Sequence, residues 1–166
     1  DSPPEKDVQW SEQGMVASYK FMQKLWTLHQ KFKDKIKEDS KGENNEIEIF
    51  TNQMIKKINY NLEKFHYNVI VANLYEAYNF FTQKLNLNRS NKNLSDSYTK
   101  FLTVISPLIP HFASECLEDF NLNPFQKWPE VDKNLIKSDS VEYVIQINGK
   151  KRAILKYLKD ISEEEL

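Results

Sequence analysis

From Met15 to Ile36 the apolar side chains return with a period of about 3.6 residues. Met15, Tyr19, Met22, Trp26 and His29 form one row and Phe21, Leu25, Phe32 and Ile36 the next, which predicts a long amphipathic helix. Residues 1–12, with Pro3-Pro4 and then Trp10-Ser11, read as an extended lead-in, and the helix should begin between Ser11 and Gly14, where a serine can accept an orphan amide. The polar run Asp39-Ser40-Lys41-Gly42 with Asn44-Asn45 closes it in a loop. Ile47, Phe50, Met54, Ile58, Leu62 and Phe65 share the inward arc of a second helix.

After a break at Phe65-His66-Tyr67-Asn68, a third helix is predicted with Asn68 as its N-cap and Ile70, Leu74, Ala77, Phe81 and Leu85 inward. Asn86 to Asn91 is a loop, and Asn93 caps a fourth helix with Leu94, Tyr98, Phe101, Leu102 and Ile105 in the core, stopped by Ser106-Pro107. Pro110 opens a fifth, with Phe112, Ala113, Cys116, Leu117 and Phe120 inward. The expected fold class is mainly α, an antiparallel bundle of five helices over residues 13–122.

The pattern then changes. Pro124, Trp128-Pro129 and Asp132 mark an irregular connector over residues 123–140. Val141 to Ile147 and Lys151 to Leu158 are strand-like, and Asn148-Gly149 between them is a strong short hairpin signal. Ser162 begins an acid-rich helical turn, so residues 141–166 read as the start of a small α/β domain, cut short.

Composition narrows the chemistry. Three glycines and six prolines are too few for a strand-and-turn fold, and a formal charge of -1 leaves any case for nucleic acid to the placement of the charges. The lone cysteine, Cys116, has no disulfide or metal-ligand companion, and as an inward residue it reads as core. No apolar run suits a membrane span. Neither a phosphate-binding loop nor a nucleophile with its base is recognisable, so no catalysis and no cofactor are expected of this chain.

Binding is expected instead. Lys20, Lys24, Lys31 and Lys35 fall within about 60° of one another on the first helix, opposite its apolar arc. Such a row is either a solvated lysine face or a sequence-blind grip on successive phosphates. Lys57, Tyr60 and Lys64 share a face of the second helix, where an aromatic between cations can touch a ribose or a base, although chance placement explains it as well. Lys150, Lys151 and Arg152 follow the expected turn, a position suited to reaching an RNA backbone. His111 reads as packing or capping, and Trp10, Trp26 and Trp128 as structural anchors, with Trp128-Pro129 pinning the connector to the bundle.

Several of these stretches together resemble the C-terminal region of bacterial leucyl-tRNA synthetases. Ser2-Pro3-Pro4-Glu5-Lys6-Asp7 with Trp10-Ser11 and Gly14 is similar to the segment after the catalytic core, and Tyr19 to Trp26 to the first helix of the anticodon-binding fold. Phe65 to Asn68 with Ala72 and Asn79, and Ser106 to Glu115, resemble its third and closing helices. Trp128-Pro129, Asp132 and Gln146 to Arg152 are similar to the hairpin that opens the leucyl enzymes' C-terminal domain, a feature unusual in valyl and isoleucyl relatives. Leu117 stands where that family often has a bulkier residue, and the later strands of the domain are missing.

The resemblance implies a tRNA-binding module for tRNA(Leu) within a cytoplasmic, monomeric leucine-tRNA ligase. Its catalytic domain, with ATP and magnesium, would lie upstream in the same polypeptide. It tips the lysine row towards RNA. Two rivals remain: the equivalent bundle of an isoleucyl, valyl or methionyl enzyme, and a helical protein-interaction module without RNA affinity.

Overall fold

Ser11 receives the backbone N–H of Gly14 on its hydroxyl at 3.2 Å, which caps the first helix in a computed structural model of the chain. The structure describes residues 6, 7, 10–35, 45–86, 92–136, 140–147 and 150–158. Among these are five helices: α1 (Glu12–Lys35), α2 (Asn45–Glu63), α3 (Tyr67–Asn86), α4 (Lys92–Ile105) and α5 (Pro110–Glu118). The chain divides into two units, Asp1–Val131 and Asp132–Leu166.

The first unit is the helical one. Lys57 meets Glu76, Phe50 stacks on Phe80 and Glu46 reaches Lys84, so α2 runs antiparallel to α3. Phe21 stacks on Tyr75 and Phe32 meets Phe81 edge-on, so α1 runs in the same direction as α3. The core closes around stacked Phe32 and Tyr98, whose ring centres are 3.8 Å apart. The Phe81 ring stands nearly perpendicular to both, at interplanar angles of 78° and 83°. At the end of α4 the residues Phe101, Leu102, Thr103, Val104 and Ile105 are all buried, because α2, α3 and α5 pack around that helix. Thr103 meets the requirement that buried polar groups be paired by donating its hydroxyl to the Thr99 carbonyl at 3.0 Å.

Helix boundaries correct three expectations. Phe65 does not continue the inward arc of α2: it adopts φ 57° and is exposed. The N–H of His66 bonds to the Asn61 carbonyl at 2.8 Å and that of Phe65 to the Leu62 carbonyl at 3.1 Å, the Schellman closure of a helix. The next helix restarts at once, with the His66 carbonyl accepting from Ile70 at 3.1 Å. Asn68 therefore lies inside the first turn of α3 instead of capping it. Asn93 likewise lies inside α4, which already runs through Lys92, and helical dihedrals preclude the extended geometry of an N-cap.

α5 opens on Pro110 without a side-chain cap, so His111, which is exposed in its first turn, does not cap it. Its end repeats the Schellman closure at Asn121, φ 58°, with Leu122 N–H on the Leu117 carbonyl at 3.0 Å. Beyond it Trp128 donates its indole N–H to the Asn59 side chain at 2.9 Å, which pins this stretch to α2.

In the second unit, β1 (Ser140–Ile147) and β2 (Lys150–Leu158) pair antiparallel. Gln146 faces Lys151 and Ile145 faces Ala153, so the register skips Arg152. The expected turn at Asn148-Gly149, the helical turn at Ser162 and the loops around Gly42 and Asn88 lie outside the described residues.

Candidate nucleic-acid interface

α1 carries the row of lysines, and its buried face decides where that row points. Phe21, Leu25, Leu28, His29 and Phe32 are buried, whereas Met15, Tyr19 and Trp26 of the expected inward row are exposed. At about 100° per residue the buried arc is therefore centred about 90° from the lysines, beside them and not opposite. The physical reason is that α3 and α4 approach from one side, where Phe21 and Phe32 find aromatic partners, leaving Met15 and Tyr19 in water and Trp26 only partly covered, by Phe112.

Lys20, Lys24 and Lys31 remain exposed, with Glu12 of α1 away from their row and Asp34 bordering it one turn beyond Lys31. Together the three lysines present positive charge along about 16 Å of helix. Lys35 does not join them. It sits nearest the buried arc, is partly covered, and donates its ammonium to the Leu85 carbonyl. That carbonyl belongs to the last turn of α3, whose carbonyls have no helical partner and whose dipole attracts a cation.

On α2, Tyr60 and Lys57 are exposed, although the Lys57 ammonium lies 2.9 Å from Glu76, and Lys64, also exposed, lies in the turn just past the end of the helix and not on its face. Both partners of that pair face water, so it ties α2 to α3 only weakly and leaves Lys57 able to exchange partners. Lys150, Lys151 and Arg152 are the first three residues of β2, with Arg152 at the register skip. They belong to the second unit and the helical lysines to the first.

A polar network under α1 had no sequence signal. His29, fully buried, places Nε2 3.0 Å from Asp119 and Nδ1 3.4 Å from the Tyr98 hydroxyl, and Lys33 holds the other Asp119 oxygen at 2.7 Å. The bonds from Lys33 and His29 keep the Asp119 carboxyl below its usual range. An ionised carboxylate only accepts, so His29 carries its proton on Nε2 and accepts the Tyr98 hydroxyl on Nδ1. Burial holds the imidazole below its ordinary value against the pull of Asp119. It also raises Tyr98 well above the phenol range and pushes the Cys116 thiol up to about 12, which keeps that sulfur protonated and unreactive. The spacing of His29 and Lys33 puts both on one helix face, but nothing local points to an acid 90 residues from His29.

A second missed pair is Lys84 with Glu46 at 2.6 Å, the lysine being nearly buried and its ammonium 5.2 Å from the centre of the Phe80 ring. Among the described residues no group of three or more His, Cys, Asp or Glu side chains could hold a metal ion, and no helix is long and apolar enough to cross a membrane. What the surface offers is a set of fixed cations and exposed aromatic rings.

A family model for the anticodon-binding domain of tRNA ligase matches residues 44–166. The leucine–tRNA ligase of Petrotoga mobilis is 30% identical over 181 residues, covering 99% of this chain and 22% of that protein. That of Fervidobacterium nodosum is 33% identical over 178 residues, with the same coverage of each. The chain thus spans about a fifth of the length of these curated relatives. Among solved structures, the Agrobacterium radiobacter K84 LeuRS in its ternary complex with tRNA and LeuAMS shares the fold. The TM-score is 0.71 at 20% identity, over 95% of this chain and 22% of that one.

Proposed function

The chain belongs to the anticodon-binding domain family of tRNA ligases, and from that premise we propose that it is the tRNA-docking module of a leucyl-tRNA synthetase. The observation that carries the reading is the solvent-facing row Lys20, Lys24 and Lys31. Such a row neutralises phosphates without reading bases, so it positions a tRNA and leaves selectivity elsewhere.

In this reading the helical unit lies along the tRNA, and residues 141–166 begin a small α/β domain whose Lys150, Lys151 and Arg152 add a second contact. Leucylation, with ATP and magnesium, belongs to a catalytic domain of the same polypeptide, in a cytoplasmic and monomeric enzyme. The two relatives described above are leucine–tRNA ligases, which favours the leucyl reading over the isoleucyl, valyl and methionyl ones. A protein-interaction module without RNA affinity is disfavoured by the family membership.

Titrating tRNA(Leu) and an unrelated tRNA at two salt concentrations tests the proposal. Affinity should fall with salt by roughly one power per phosphate neutralised. Substituting Lys20, Lys24 and Lys31 together by glutamate should weaken binding and flatten that slope. Affinity indifferent both to salt and to the triple substitution would remove RNA from the role.

A further inference from the structure

His29 is fully buried, yet one side of its cover is thin. Trp26 and Tyr98 flank the ring with centres 5.7 and 6.0 Å away. The remaining side is closed by Asp119, a quarter exposed, and by Phe120, whose ring centre lies 5.2 Å away. Both belong to the short turn of residues 119–122 in which α5 ends. The Phe120 and Leu122 N–H groups donate to the Leu117 carbonyl at 3.0 Å, and the Asn121 N–H to that of Glu118 at 2.8 Å, so the turn is closed on its own helix. Its hold on α1 runs through the Asp119 carboxylate, to His29 and Lys33. The turn can therefore lift from α1 while the bonds within the helices stay. Residues 123–127, where Phe125 is 92% exposed, give slack before Trp128 fastens the chain to Asn59.

A second proton on the imidazole upsets this packing through geometry. Nδ1 accepts from the Tyr98 hydroxyl and would have to donate to it instead. The hydroxyl proton would then turn into a surround of the Phe32, Phe81, Phe101 and Phe120 rings, where an unpaired polar hydrogen is costly. The charges near the ring are divided: Asp119 and Glu115 favour the imidazolium, Lys33 opposes it, and Tyr98 and Cys116 stay neutral. Burial outweighs the acids, so the closed form takes the second proton less readily than a ring in water.

We propose that residues 119–122 form an acid-operated latch, which lifts from α1 when His29 takes a proton from solvent on Nδ1 and bares the pocket of His29 and Cys116 while the helices stay folded. Opening puts the imidazolium in water, where it is held more firmly, so the balance moves towards the open form as the pH falls below about 6.5. His29 and Lys33 lie about half a turn round α1 from Lys20, Lys24 and Lys31, so the latch works independently of the lysine row.

Cys116 is the single cysteine of the chain and is fully buried one turn before Phe120, so its reaction with a pyridyl disulfide reports opening. Rates are taken at pH 5 and pH 7, each divided by the rate in concentrated urea at the same pH. Labelling so normalised should be roughly tenfold faster at pH 5. It should hardly respond to low urea, because a four-residue opening exposes little surface. His29→Gln should remove the acid acceleration. Phe120→Ala thins the cover and should label faster already at pH 7, a second readout should His29→Gln fail to fold. Labelling that climbs with urea as steeply as global unfolding overturns the latch, and so do equal normalised rates at the two pH values or an acceleration that His29→Gln retains.

Discussion

The imidazole of His29 on α1 lies 3.0 Å from a carboxylate oxygen of Asp119, just past the end of α5. Two effects compete at this contact. Asp119 favours a charged ring and burial disfavours it, and burial wins, so His29 is held below its ordinary value of 6.5.

Acid should therefore destabilise the fold in two stages. A base with a lowered folded-state value contributes stability above its unfolded value and loses it as the pH falls, so the His29 contribution begins to fade below about 6.5. Asp119, also lowered, contributes above 3.8 and loses its share below that. Urea midpoints should be lower at pH 5 than at pH 7 in the unsubstituted chain, and His29→Gln should shrink that difference. A midpoint that rises on acidification contradicts the assignment.

Lys35 and its three row-mates should separate in experiment. Lys35→Glu places an anion at the carbonyl end of α3 and should cost about 1 kcal/mol of stability, seen as a lower melting temperature. The triple change at Lys20, Lys24 and Lys31 should leave the melting temperature nearly unchanged and lower only RNA affinity. Equal thermal effects of the two variants would contradict the contact at Leu85.

At the Glu46–Lys84 pair the two partners are unequal, since the lysine is nearly buried and the glutamate exposed. Glu46→Gln removes the carboxylate from a covered ammonium and should destabilise by about 1 kcal/mol, whereas Lys84→Met keeps the packing on Phe80 and should be close to neutral. Chemical denaturation of both variants decides it. A larger loss from Lys84→Met would show the pair to be net stabilising.

Phe81 touches Phe32, Phe50, Tyr98 and Phe101 and is fully buried. Truncation by Phe81→Ala should cost about 3–5 kcal/mol, a sizeable part of a domain's stability. Calorimetry on the two chains measures it. A loss under about 1 kcal/mol would mean that the core collapses into the space.

Asn121 closes α5 at φ 58°. Asn121→Gly should hold or slightly raise stability and Asn121→Ala should lower it by about 1 kcal/mol, because alanine tolerates that backbone least. The order of three melting temperatures is the readout. Alanine ranking above glycine would contradict the Schellman geometry.

Most of the helical unit was legible in the chain itself. The return of Phe21, Leu25 and Phe32, or of Ile70, Leu74, Ala77, Phe81 and Leu85, follows from helix geometry alone, and so does the gathering of lysines on one row. Ser11 and Pro110 likewise announce helix starts through chemistry confined to one turn. Tertiary structure decided the rest: which side of α1 is covered, why Lys35 turns inward, why Phe65 faces water, and where His29 finds Asp119. The physical reason is range. A helical period is set by residues three and four apart, whereas burial and pairing depend on which other helix arrives, here from 50 residues away for Lys35 and 90 for His29.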